Sequence, residues 1–262
     1  MSKLHTYHFP FLSSEIKFEF VDNIAPEIAE GVSNLIHVLK NDLSTKQINS
    51  SAHKLSNATT QLPVIVSPEF IEYFELNLKY YSATQSSFSP FSEKIDKYKI
   101  NEYIEINKEE DAIIKLKEFR FDSTLLKFYI LKKINAFLDF NGVRNYYFSY
   151  VNVVGSFGNV RWNAKFNASD FNKEIEFKLY NSYAYMFIPD STKEEKFYSK
   201  FANVDKEVKA NYIVVKGANL IDLKILSLEI ENLNWLHQYK LFAQENNVSM
   251  TIFTQEQEII EI

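Results

Sequence analysis

Glycine scarcity is the feature that most restricts this chain: five glycines occur in 262 residues, where roughly 7% is usual. Turns that cradle a phosphate on backbone amides rely on glycine for positive φ and for a backbone bare enough to touch the ligand. This chain can build very few of them. Cysteine is absent, which excludes disulfides, thiolate nucleophiles, thiolate metal sites and lipid attachment through an N-terminal Cys in the sequence as given. The 29 basic and 34 acidic residues leave a net charge of -5, and the positive charges are scattered, so there is no basic footprint for nucleic acid. With 46% hydrophobic and 24% charged residues, the chain is globular in type and long enough to bury a sizeable core. No apolar run suffices for a membrane span and the start lacks the pattern of a signal peptide, so a cytoplasmic location is the default expectation.

Residues 14-21 alternate Ile16, Phe18 and Phe20 with charged partners, the period of a half-buried strand that opens the fold. A helix over 24-41 follows, with Pro26 in its first turn and an apolar stripe through Val32, Ile36 and Leu39. Residues 44-62 are rich in Ser, Thr and Asn without either period and read as a polar loop. Pro63 to Val66 is extended, and Ser67 caps a helix over 68-81. Short alternation over 91-120 predicts two or three strands with a turn near 107-111. Helical spacing returns over 123-140 and stops at Asn141-Gly142. Strands over 145-154 and 160-166 flank Gly155 to Gly158 as a hairpin turn, and further strands are expected at 174-180, 182-188, 211-215 and 248-253. Helices cover 219-230 and 234-245. The class is α+β, with antiparallel sheets packed against helices in one domain over 1-262 that has room for two lobes.

Taken alone, the reactive side chains point to little. His5 and His8 have no third ligand close in sequence. Gly155-Ser156-Phe157-Gly158 is not a nucleophile elbow. Glu109, Glu110 and Asp111 read as a solvated turn, the aromatics at 146-150 as packing, and Lys127, Lys132 and Lys133 as a solvated helix face.

The order of these segments resembles the FAD:protein FMN transferase family, the ApbE-like or thiamine-biosynthesis lipoproteins, over nearly the whole chain. Leu55-Ser56-Asn57 is similar to the end of the family's Ser-rich stretch, and Val66-Ser67-Pro68-Glu69 to its V-S-x-E helix start. Thr84 to Pro90 resembles the T-x-G-x-F-D-P turn and retains Phe88 and Pro90. Phe121 to Tyr129 resembles D-L-G-G-I-A-K-G-Y and retains Lys127 and Tyr129. Gly142 through Gly158 tracks the G-V-x-N-x-x-V-N-x-G-G-D segment without gaps, and Trp162 falls at the family's Trp.

The resemblance carries the scaffold and departs from the chemistry. The Gly-Gly before the family's Lys becomes Ser123 and Thr124 or their neighbours, the Gly after it becomes Phe128, and the N-x-G-G-D positions become Ser149 to Val153. Tyr185, Met186 and Phe187 replace the T-S-G strand, and no His stands between 54 and 236 where a histidine element would be. Ala218 to Leu223 resembles A-D-A-x-A-T, whose acid and hydroxyl bind magnesium; Asn219 and Leu223 stand at those positions, with Asp222 the remaining candidate ligand on another helix face. The resemblance therefore implies a degenerate, catalytically inactive homologue that binds an unidentified protein partner and holds no cofactor. Lys127, Tyr150 and Asn152 would be vestigial flavin contacts. The alternative it implies is a divergent, active magnesium-dependent transferase that takes FMN from FAD to a protein Thr or Ser, with Lys127 and Tyr129 in its site.

Overall fold

The computed structural model describes residues 4–84, 88–93, 95–122, 124–168, 173–189, 208, 210–231, 233, 236–254, 256 and 258–262. In chain order the elements begin with β1 (His5–Phe11), β2 (Ser14–Phe20), α1 (Pro26–Leu43), α2 (Ser51–Asn57), β3 (Pro63–Ile65) and α3 (Pro68–Ala83). A 3-10 turn (Lys97–Glu102) leads to β4 (Ile104–Asn107), β5 (Ala112–Lys115) and α4 (Leu126–Phe140). Then come β6 (Tyr146–Tyr150), β7 (Val153–Phe157), β8 (Trp162–Ala168), β9 (Lys173–Leu179), β10 (Ser182–Phe187) and β11 (Ala210–Gly217). The chain closes with α5 (Leu220–Ile230), α6 (Leu236–Asn246), β12 (Ser249–Thr254) and β13 (Ile259–Glu261). Two compact units result: Met1–Pro26 with Asp139–Ile262, and Glu27–Leu138.

The first unit is built on an eight-stranded sheet, ordered β1-β2-β6-β7-β10-β11-β12-β13 with every neighbouring pair antiparallel. Period-two patterning explains its two faces. On one, Tyr7, Phe18, Phe148 and Tyr183 fall in a single cross-strand row, with Phe18 and Phe148 rings 5.6 Å apart and Phe148 and Tyr183 6.2 Å. On the other, Tyr147, Val154, Ala184 and Val214 pack with Trp162, Ala164, Phe166 and Leu179 of the β8–β9 hairpin. Aromatic pairs of this kind add about 0.5–1.5 kcal/mol each beyond burial.

The predicted turn at Gly155 to Gly158 is corrected by the structure. The chain reverses at Val151 and Asn152, with Val151 at φ 48, and Gly155 and Ser156 lie inside β7. Gly155 is required there by packing rather than by turning: a Cβ would stand 2.3 Å from Phe148 Cε1 and 3.0 Å from Tyr183 Cδ1. Sequence alone could not separate a glycine that turns from one that admits a ring.

The second unit holds α1 to α4 and the antiparallel sheet β3-β5-β4. Phe121 sits edge-on to Phe70 and Tyr73 and tilted to Phe74, and Tyr73 and Tyr129 rings are 4.9 Å apart. The apolar stripe of α1 is buried as expected at Val32, Ile36 and Leu39, and the helix runs past its expected end at 41 to bury Leu43 as well. The expected polar loop over 44-62 contains α2, because Ser50 caps it by accepting from the His53 amide and Leu55 supplies a buried anchor. Of the strands expected over 91-120, two form, while residues 97-102 wind into the 3-10 turn behind an Asp96 cap. Two strands are additional to those expected: β1, which carries the period-two aromatics Tyr7, Phe9 and Phe11 and opens the fold ahead of β2, and the three-residue β13.

Candidate functional site

In the second unit the retained motif residues meet around the start of α3. The Ser67 side chain accepts from the Phe70 amide at 2.9 Å and donates to Asp42, which also accepts from the Ser51 amide and hydroxyl at 3.2 and 2.6 Å. This fixes the first turn of α3 and with it Glu69. Glu69 accepts from the Tyr129 hydroxyl at 2.5 Å, and Lys133 bridges Glu69 at 2.9 Å and Glu72 at 2.7 Å. Burial, then the bond to Glu69, raise the Tyr129 phenol far above its ordinary value, so it is a hydrogen-bond donor and no base at neutral pH. Burial by itself would lower Lys133, but the bonds to Glu72 and Glu69 outweigh it and raise the ammonium.

Lys127 is half-buried, its ammonium 4.8 Å from the Phe128 ring centre. Thr124, at one position of the lost Gly-Gly, is exposed; Ser123 lies outside the described residues, as do three residues of the 84-90 turn. Ser56 of the Leu-Ser-Asn element accepts from the Phe121 amide at 3.2 Å through its hydroxyl. The carbonyls of Ser56 and Ala58 accept from Lys115 at 3.3 and 3.1 Å. Lys115 is 1% exposed and sits where period-two reading places a solvated charge. Lys133 likewise departs from the expected solvated face.

In the first unit the β6–β7 turn and α5 place the other expected residues. Tyr150 is buried, its ring 4.6 Å from that of Phe11 in an edge contact. Asn152 donates through its amide to the Met186 carbonyl at 2.8 Å and accepts from the Met186 amide at 2.9 Å. It also bonds Tyr185, whose phenol burial pushes up to about 12 against the opposing pull of Ser227 and Asn152. Lys224 lies 5.8 Å from the Tyr185 ring centre and is lowered by burial, with Glu231 opposing. Ser227, fully buried, donates to the Lys224 carbonyl at 2.7 Å. The sequence marked Tyr185 only as a replaced position and missed Lys224 and Ser227, which carry no motif.

Asn219 is the N-cap of α5, accepting from the Ile221 amide at 3.1 Å. Leu223 is 1% exposed and packs against Gly217, where a Cβ would stand 3.0 Å from Leu223 Cδ2. Asp222 is half-buried beside it. Ser156 is fully buried within β7, out of reach as a nucleophile.

No protein-family model matches this sequence, and no curated protein matches it. Solved structures do. The apo flavinyl transferase ApbE of Pseudomonas stutzeri matches over 99% of this chain and 94% of its own, with a TM-score of 0.72 and 13% identity. The flavin transferase ApbE of Vibrio cholerae and the apbe protein of Thermotoga maritima each match over 99% of this chain and 97% of their own, with a TM-score of 0.70 and 12% identity. The chain has the fold of the ApbE flavin transferases. The antiparallel α+β class read from periodicity is thereby shown.

Asn219 and Leu223, which the sequence resemblance sets at magnesium-ligand positions, lack the donor set that a divalent cation requires. Asn219 offers one neutral oxygen already accepting an amide hydrogen, and Leu223 offers none. Among the described residues there is no group of three or more His, Asp or Glu placed to hold a metal ion. Tyr150 and Asn152, the flavin contacts that the resemblance implies, are engaged by the Phe11 ring and by the Met186 backbone. No described helix is long and apolar enough to cross a membrane.

Proposed function

We propose that this chain is a catalytically inactive homologue of the FAD:protein FMN transferases that acts as a binding or interaction protein. The observation that carries this reading is the double employment at the start of α5: Asn219 caps the helix and Leu223 fills the space beside Gly217. Each side chain at a metal-ligand position serves the scaffold instead. Replacing a carboxylate by a capped amide and a hydroxyl by a buried methyl group removes the negative charge and the oxygen donors that magnesium requires. The same holds for Tyr150 and Asn152, so neither FAD nor FMN is expected to be held as a cofactor. The ligand in this reading is a protein partner.

The test is incubation of the purified chain with FAD and magnesium, with and without a Thr- or Ser-containing acceptor peptide. No FMN or AMP is expected, and calorimetry should detect no FAD or FMN binding in the micromolar range, with magnesium making no difference. Magnesium-dependent release of FMN and AMP would overturn inactivity and restore the divergent transferase. Tight flavin binding without turnover would instead make the chain a flavin carrier or sensor.

A further inference from the structure

A concavity lying wholly within the first unit is independent of flavin transfer. Antiparallel order gathers the end of β9, the start of β10, the end of β11 and the start of β12 at one edge of the fold, with the last turns of α6 beside them. A cleft of about 770 Å³ opens there, and Lys178, Lys216 and Lys240 line it from three different elements. Every charged side chain lining it is positive. None of the three lysines forms an ion pair among the described residues. Elsewhere, lysines such as Lys108, Lys117 and Lys165 are paired with acids.

We propose that this cleft binds a phosphorylated small organic molecule. Lysine ammonium groups are compact donors suited to phosphate as point charges, and three lysines around one cleft with no acidic side chain in its lining create a local positive potential. Ser182, Asn247 and Ser249 add hydroxyl and amide donors within the same lining. The volume lies in the range of small-molecule sites and exceeds what a bare anion fills. Tyr180, 53% exposed at the rim, offers a ring face to the organic part. Lys216 is held in place against Phe177, its ammonium 5.6 Å from the ring centre.

The test is calorimetric titration of the full chain with phenyl phosphate and, separately, with inorganic phosphate. Phenyl phosphate is expected to bind saturably and more tightly than inorganic phosphate. Lys178→Ala and Lys240→Ala, both at exposed positions, should each weaken it by about fivefold, as loss of one partly solvated charge contact implies. Tyr180→Ala should weaken phenyl phosphate alone. Melting curves of the variants should match that of the wild type. The proposal is overturned if phenyl phosphate shows no saturable binding, if the lysine variants bind as the wild type does, or if inorganic phosphate binds equally well.

Discussion

Asn219 and Gly155 show how single side chains are committed to the scaffold. Asn219 accepts from the Ile221 amide as the cap of α5, and Asp is as good an N-cap as Asn. Asn219→Asp should therefore leave stability almost unchanged in urea denaturation, whereas Asn219→Ala should cost about 1 kcal/mol. An equal loss in both variants would show that the residue is needed for something other than capping. At Gly155 the Phe148 and Tyr183 rings close over bare backbone, leaving a Cβ only 2.3 Å from Phe148 Cε1. Gly155→Ala should destabilise the chain by about 1–3 kcal/mol, the usual cost of overpacking. A midpoint in urea equal to that of the wild type would show that the rings move aside freely.

Among the elements, α3 and α4 are joined by a charged cluster as well as by aromatic packing. Tyr129 donates to Glu69, and Lys133 joins Glu69 to Glu72. Because Tyr129 is fully buried and Glu69 is also paired with Lys133, the bond belongs to a charged cluster, and removing one member strands the other. A double-mutant cycle with Tyr129→Phe and Glu69→Gln should give a coupling energy on the order of 1–2 kcal/mol in equilibrium unfolding. Additive single effects would mean that the contact contributes nothing of its own. The cluster also shows what local patterning concealed. Helical spacing predicted both helices, with Ser67 as a cap, and the resemblance placed Glu69 and Tyr129 in separate motifs. Their contact spans 60 positions of sequence, so no window of the sequence contains it.

Across the whole molecule, buried phenols set the response to alkali. Burial raises Tyr73, Tyr129 and Tyr146 far above the ordinary phenol value of 10.0, and raises Tyr147, Tyr185 and Tyr239 to about 12. A group whose folded pKa is raised gives stability that is intact below the unfolded value and lost as pH climbs through the folded one. Lys224, lowered from 10.5 by burial, acts the other way: the unfolded state holds its proton longer, so stability from this group grows as pH rises toward 10.5. These six phenols, with Tyr81 also raised by burial, outweigh one lysine above pH 10. Ultraviolet titration should show the exposed tyrosines ionising first, with these six appearing only in a cooperative step that coincides with loss of the near-ultraviolet circular dichroism. Smooth ionisation of all 16 tyrosines near pH 10 in a folded chain would contradict their burial.

Periodicity determined which segments become helix or strand, and hence the antiparallel α+β class, because the 3.6- and two-residue periods are set by each segment's own backbone. The capping of α3 by Ser67 was legible for the same reason: donor and acceptor lie within one turn. Tertiary structure decided that Gly155 admits two rings, that Lys115 is buried against the Ser56 and Ala58 carbonyls, and that Lys178, Lys216 and Lys240 line one cleft. Each of these depends on a partner from a distant segment. A local pattern says which face of an element turns inward, while the fold alone says what that face meets.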